Sequence, residues 1–237
     1  MAEEFSNLRI KAERLGSVRE INQLLSAIEN AYNHLYAFEY IVDSLIQNQE
    51  LQFRLNDDRY HRWRKMWKEF SNRKDYPFDP FFYEMIYEDF LFRLPYTPKV
   101  NLLELKNNII FDEIILPHNR LQLTRVNVQS PGFWEFLGSL NPLQQLREYL
   151  KDRHERQKDT NYRNRQEEEK GDLDNILKKE GIINQRIDML HKLGYNETEI
   201  RQFVFPMIVQ PLNLVGRQQD NGLIETPEEI ANNKSAT

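Results

Sequence analysis

From Ile21 to Ile46 the chain carries one apolar stripe: Ile21, Leu24, Leu25, Ile28, Tyr32, Leu35, Val42, Leu45 and Ile46, mostly at steps of three and four. About thirty residues of that pattern make a helix roughly 45 Å long. A stripe of that length has to be laid against another layer of structure. The segment before it offers one. Leu8, Ile10 and Ala12 alternate with Arg9, Lys11 and Glu13, the period of a half-buried strand. Gly16-Ser17 ends the strand, and Ser17 and Glu20 have the spacing of a capping box, in which each side chain satisfies an orphan amide at the helix start.

A second strand–helix unit is expected near the middle of the chain. Leu102–Leu105, Ile109–Leu116 and Leu121–Val128 read as three strands of an antiparallel meander, joined by Lys106-Asn107-Asn108 and Pro117-His118-Asn119-Arg120. Ser130-Pro131 then has the form of an N-cap followed by a proline at the first helical position. Phe133, Trp134, Phe136 and Leu137 accordingly read as the opening of a second helix, packed on the sheet. The expected fold is α+β: a small antiparallel sheet with two amphipathic helices on one face, split β-α-β-like, plus a long C-terminal charged helical extension.

Residues 51–98 interrupt this core and read as an insertion of two short helices joined by a turn. They hold half of the chain's 3 Trp, 11 Tyr and 14 Phe. A basic stretch from Arg59 to Lys74 is followed by acidic Asp75, Asp79, Glu84, Glu88 and Asp89. Basic residues interleaved with aromatics can hold phosphates and stack on bases, which makes Arg59, Arg62, Arg64, Lys65 and Lys68 candidate polyanion contacts. On a helix, however, Tyr60, Trp63, Trp67 and Phe70 gather on one side and most of the cations fall elsewhere. That arrangement suits a packed stripe better than a base-stacking platform. The net charge of −5 supplies no general attraction to polyanions.

The expected organisation is a core over 1–145 containing that insertion, a charged helical extension over 146–194, a short helix and apolar segment over 195–224, and a disordered tail over 225–237. Between Lys151 and Asp172 the only large apolar residue is Tyr162, so this stretch reads as a solvated helix held by ion pairs one turn apart. Leu173, Ile176, Ile183, Ile187 and Leu190 then fit a and d positions of a short coiled-coil seam. They form a candidate surface for self-association or partner docking, with fold-back onto the core as the competing reading. Gly194 reads as the helix stop, and Asn196 with Glu199 as a further capping box.

No catalytic, metal or cofactor constellation emerges. The chain has no cysteine and no Gly-rich phosphate loop, and His34, His61, His118, His154 and His191 stand far apart. His154 lies between carboxylates, and a solvated helix face explains it best. Ser17 and Ser130 read as caps rather than nucleophiles. The acidic N-terminus MAEEFSNLRI lacks a signal-peptide apolar run. The longest uncharged stretch, 203–216, holds 14 residues and two prolines, short of the about 20 a membrane span needs. The expected location is cytoplasmic.

The segments 8–39 and 123–156, with Ser-Pro-Gly at 130–132, Asp-Arg-His-Glu-Arg at 152–156 and Leu-Gly-Tyr-x-x-x-Glu-Ile at 193–200, resemble an uncharacterised family of bacterial, notably cyanobacterial, proteins. The two strand–helix units are more distantly similar to the N-terminal domain of the TRADD adaptor. That likeness implies an adaptor in a bacterial conflict or signalling system. The function expected from the chain is a non-enzymatic interaction and oligomerisation module, the alternative being nucleic-acid binding through residues 59–74.

Overall fold

The computed structural model describes residues 4–71, 99–127, 132–158 and 181–228, with the side chains of 51–64, 66–71 and 156–158 excepted. The chain divides into two compact units, one formed by Met1–Val42 with Leu102–Thr237, the other by Asp43–Asn101. The first unit is an α+β fold built on one four-stranded antiparallel sheet.

Strand β1, Phe5–Ala12, runs into helix α1, Val18–Ser71. Its start is the expected capping box: the Ser17 amide donates to Glu20 Oε2 at 2.8 Å and the Glu20 amide donates to Ser17 Oγ at 3.3 Å. Leu24, Ile28, Tyr32, Leu35 and Val42 of the stripe are buried, joined by Ala31, Phe38 and Ile41. The helix is 54 residues long and continues through Ser71. Residues 51–71 therefore extend α1 instead of starting a separate short helix. They contain no proline or glycine to stop it. The remainder of the expected insertion, 72–98, lies outside the described residues.

The meander is corrected. Leu102–Asn107 is helix α2, burying Leu102, and Phe111–Ile114 is the single helical turn α3. Short apolar runs fit either period, and here packing against other helices decides. Only the third segment is a strand, β2, Gln122–Asn127. The helix expected after Pro131 is also corrected: Gly132–Ser139 is strand β3. Its apolar side chains occupy both faces, and that hides the period of two. Trp134 and Phe136 are buried opposite Ile10 and Leu8, while Phe133 and Leu137 belong to the other face. Helix α4 begins only at Leu140 and runs to Lys158.

Leu143, Leu146, Tyr149, Leu150 and Arg153 of α4 are buried. The start of the expected charged extension is thus a core helix. Helix α5, Ile182–Lys192, ends in a left-handed turn at Gly194 (φ 88°), closed by the Tyr195 amide donating to Leu190 O at 3.1 Å. Helix α6, Glu197–Val204, opens on the Asn196/Glu199 capping box. It passes through a wider π-helical turn, Phe205–Val209, into helix α7, Gln210–Asp220. Pro211 has no N–H to give Met207 O, and the Gln210 amide reaches back five residues to Phe205 O.

Ile224–Glu228 forms strand β4, so the first residues of the expected disordered tail are ordered. Its sequence IETPE has no apolar alternation. Burial of Ile224 and Pro227 and the pairing of Glu228 with Arg9 at 3.0 Å hold it in place. The strand order is β2-β3-β1-β4. β1 and β2 run parallel with β3 between them, and β3 and β4 run parallel with β1 between them. These are two interleaved split β-α-β units, the ferredoxin-like plan. Helices α1 and α4 cover the face that carries Leu8, Ile10, Trp134 and Phe136.

Candidate functional site

The sequence candidates scatter. Arg59, Arg62, Arg64, Lys65 and Lys68 all lie on α1, and of their side chains only that of Lys65 is described, as exposed. Of the seam residues, Leu173 and Ile176 lie outside the described residues. Ile183 is half-buried, and Ile187 and Leu190 are 5% and 0% exposed. The last two belong to the chain's own core. The Gly194 turn folds α5 against α4 and α6, so Ile187 and Leu190 are covered from within.

The histidines and serines hold structural places. His34 packs against Phe111 in a tilted contact with ring centroids 4.8 Å apart, and its Nδ1–H donates to Asn30 O at 2.8 Å. Burial pushes its pKa below the usual histidine value. His191 stands 3.4 Å from Glu197. His154 is half-buried on α4. Ser17 is a cap, and Ser130 lies outside the described residues. Among the described residues no three His, Asp or Glu gather closely enough to hold a metal ion, and no helix is long and apolar enough to cross a membrane.

Two buried polar clusters tie the layers together. Tyr32 Oη on α1 donates to Asn119 O at 2.5 Å and accepts from the Ser139 amide at 2.9 Å, pinning the loop before β2 to the end of β3. Asn119 Nδ2 in turn donates to Tyr36 Oη at 2.9 Å. On the other side Tyr149 Oη donates to Asn213 Oδ1 at 2.9 Å, and Arg153 pairs with Asp220. Gly216 is required there: a Cβ would stand 2.6 Å from Tyr149 Oη and 2.7 Å from Arg153 Nε. These clusters were not legible as sites, because their members lie far apart along the chain.

Among the described residues, the fold leaves uncovered the sheet's outer face and one of its margins. Across the outer face the register sets Arg125, Glu135, Arg9 and Glu228 in one row, alternating in sign from β2 to β4. Opposite charges on neighbouring strands stabilise each other modestly. Arg9 also lies 3.7 Å above the Phe133 ring, a cation–π contact.

The two edge strands differ. On β4, Pro227 has no N–H and Glu228 is engaged by Arg9 and Lys11 at 3.0 and 3.8 Å. Proline and engaged charges blunt a sheet edge. On β2 every side chain from Gln122 to Val126 is exposed. Leu123 and Val126, 44% and 43% exposed, stand opposite Phe136 and Trp134 in the register, on the helix-bearing side of the sheet. Leu116 and Ile110 add exposed apolar surface in the segment leading to the strand. The sequence showed β2 as a strand, but edge position is a property of the assembled sheet. No protein-family model matches this chain, and neither curated proteins nor solved structures give a match to it.

Proposed function

We propose that the chain is a non-enzymatic protein-interaction module that binds its partner along the open β2 margin. The observation carrying this reading is the contrast between the two sheet edges. β4 is blunted by Pro227 and ion-paired Glu228, whereas β2 has no proline and exposes Leu123 and Val126 beside its backbone edge. Strand addition to such an edge supplies main-chain hydrogen bonds for affinity and side-chain contacts for specificity. A cytoplasmic adaptor of a bacterial conflict or signalling assembly, the role implied by the sequence resemblance, belongs to this class.

The test is affinity capture from the native host with the intact chain and with Leu123→Asp/Val126→Asp, the melting temperature of both being recorded. A specific protein lost with the edge variant, while the variant stays folded, supports the reading. Equal capture by both chains counts against it. Nucleic-acid binding through residues 59–74 is the alternative, consistent with exposed Lys65. Fluorescence anisotropy near physiological salt separates the two, since phosphate contacts weaken steeply as salt rises.

A further inference from the structure

The β2 margin has an internal symmetry that narrows the choice of partner. Its sequence is Gln122-Leu123-Thr124-Arg125-Val126-Asn127. Read from either end it runs amide, aliphatic, polar, polar, aliphatic, amide. A regular strand could not use this palindrome. Residues three apart, such as Leu123 and Val126, would lie on opposite faces. The register of β2 on β3 shifts between Leu123 and Arg125, so Leu123 pairs with Phe136, Arg125 with Glu135 and Val126 with Trp134. Thr124 is the extra residue of a bulge, tied by its hydroxyl to Glu135 O at 3.0 Å. The bulge returns Leu123 and Val126 to one face and sets Gln122 and Asn127, opposite Leu137 and Phe133, on the other.

We infer that the partner at this edge is a second copy of the chain, joined by antiparallel β2–β2 pairing about a two-fold axis between Thr124 and Arg125. An isologous contact requires a surface complementary to itself, and the bulged strand meets that requirement. In this register Leu123 of each copy faces Val126 of the other on the helix-bearing side, and Gln122 faces Asn127 on the outer side. Arg125 faces Thr124, so no charge is set directly opposite a like charge. The two four-stranded sheets become one of eight strands. The inference rests on the interaction-module reading and adds the identity of the partner. A single strand edge lies at the small end of interface sizes, below about 1,200 Å² in total, so the dimer is expected to be weak and reversible, with a Kd in the micromolar range.

Sedimentation equilibrium of the purified full chain tests the assembly, and the absence of cysteine makes the register testable as well. The wild type is expected to pass from monomer to dimer with concentration, and Leu123→Asp/Val126→Asp to raise Kd at least about tenfold. Two single-cysteine variants, Leu123→Cys and Val126→Cys, keep the site apolar. Mixed under mild oxidation they should give a disulfide dimer, because directly opposed residues of an antiparallel pair have Cα atoms about 4.5–5.5 Å apart, within disulfide reach. Each variant alone should cross-link poorly, since identical positions would be displaced by roughly 10 Å along the strand. A wild type that remains monomeric over the whole concentration range overturns the inference, as does self-cross-linking of either variant as efficient as the mixture. If the monomeric wild type captures a host protein that the Asp variant loses, the edge takes a different chain. The module reading then survives and the second-copy inference does not.

Discussion

Arg153, 6% exposed, donates through Nε at 3.1 Å and Nη2 at 2.7 Å to the two carboxylate oxygens of Asp220, 67 residues further along the chain. This bidentate pair fastens the end of α7 to the middle of α4. Its Nη1 also donates to Tyr149 Oη at 3.2 Å. Removing the carboxylate would leave a buried guanidinium short of its partner, and buried charges are costly once unpaired. Asp220 is partly exposed, so water offsets some of that cost. Asp220→Ala is expected to destabilise by about 2–3 kcal/mol, a fall in melting temperature of roughly 5–10 °C for a chain of this size. The double substitution Arg153→Met/Asp220→Leu should recover more than half of the loss. Thermal unfolding of Arg153→Met, Asp220→Leu and the double variant checks this, and simple additivity would show that the pair is not coupled.

The capping box at α1 gives a prediction about acid. The Glu20 carboxyl accepts from Arg14 at 2.5 Å and from the Ser17 amide and hydroxyl, each at 2.8 Å, and these donors hold its pKa down to about 2. A carboxylate with a depressed folded pKa binds fewer protons in the folded state than in the unfolded one. Its contribution is therefore complete above about pH 4.5 and is lost as pH falls toward about 2. Urea midpoints from pH 5 to pH 2 should fall less steeply in Glu20→Gln than in the wild type. Ser17→Ala should cost about 1 kcal/mol at neutral pH.

His34 gives the corresponding prediction nearer neutrality. Burial against Phe111 lowers its pKa, the bond to Asn30 O opposes that shift, and nearby Lys106 adds to it. The folded state again binds fewer protons, so stability is complete above the ordinary histidine value of 6.5 and declines as pH falls below it. Denaturant midpoints measured from pH 7.5 to pH 5 should decline in the wild type. They should decline less in His34→Leu, which keeps an apolar contact with Phe111. An unchanged slope would show that His34 titrates normally in the folded state.

The α5 stripe is predicted to act in stability rather than in assembly. Ile187 is buried, and Leu190 anchors the turn through its carbonyl. Ile187→Asp places a charge in the core and should cost at least about 3 kcal/mol, enough to lower the melting temperature clearly. Ile187→Val should cost about 0.5–1.5 kcal/mol. Light scattering on folded Ile187→Val should match the wild type at equal concentration. A changed assembly at unchanged stability would return this stripe to the surface.

The sequence by itself determined features settled within a few residues of one another. Ser17 finds Glu20, Asn196 finds Glu199, and Gly194 takes the positive φ that stops α5. Each is a local bond whose partners are neighbours on the chain, so spacing alone makes it readable. The stripe of α1 was readable for the same reason. Tertiary structure decided the rest. β3 looked helical because it is central to the sheet and apolar on both faces, and only its pairing with Phe5–Ala12 on one side and Gln122–Asn127 on the other gives its backbone partners. IETPE became a strand because Arg9 and Lys11, more than 200 residues away, engage Glu228. The edge position of β2, and the bulge that returns Leu123 and Val126 to one face, depend on which strands stand beside one another. That order is set by burying Leu8, Ile10, Trp134 and Phe136 together under the helices. Hydrophobic burial is non-directional, and hydrogen bonds between distant strands leave no spacing in the sequence to read.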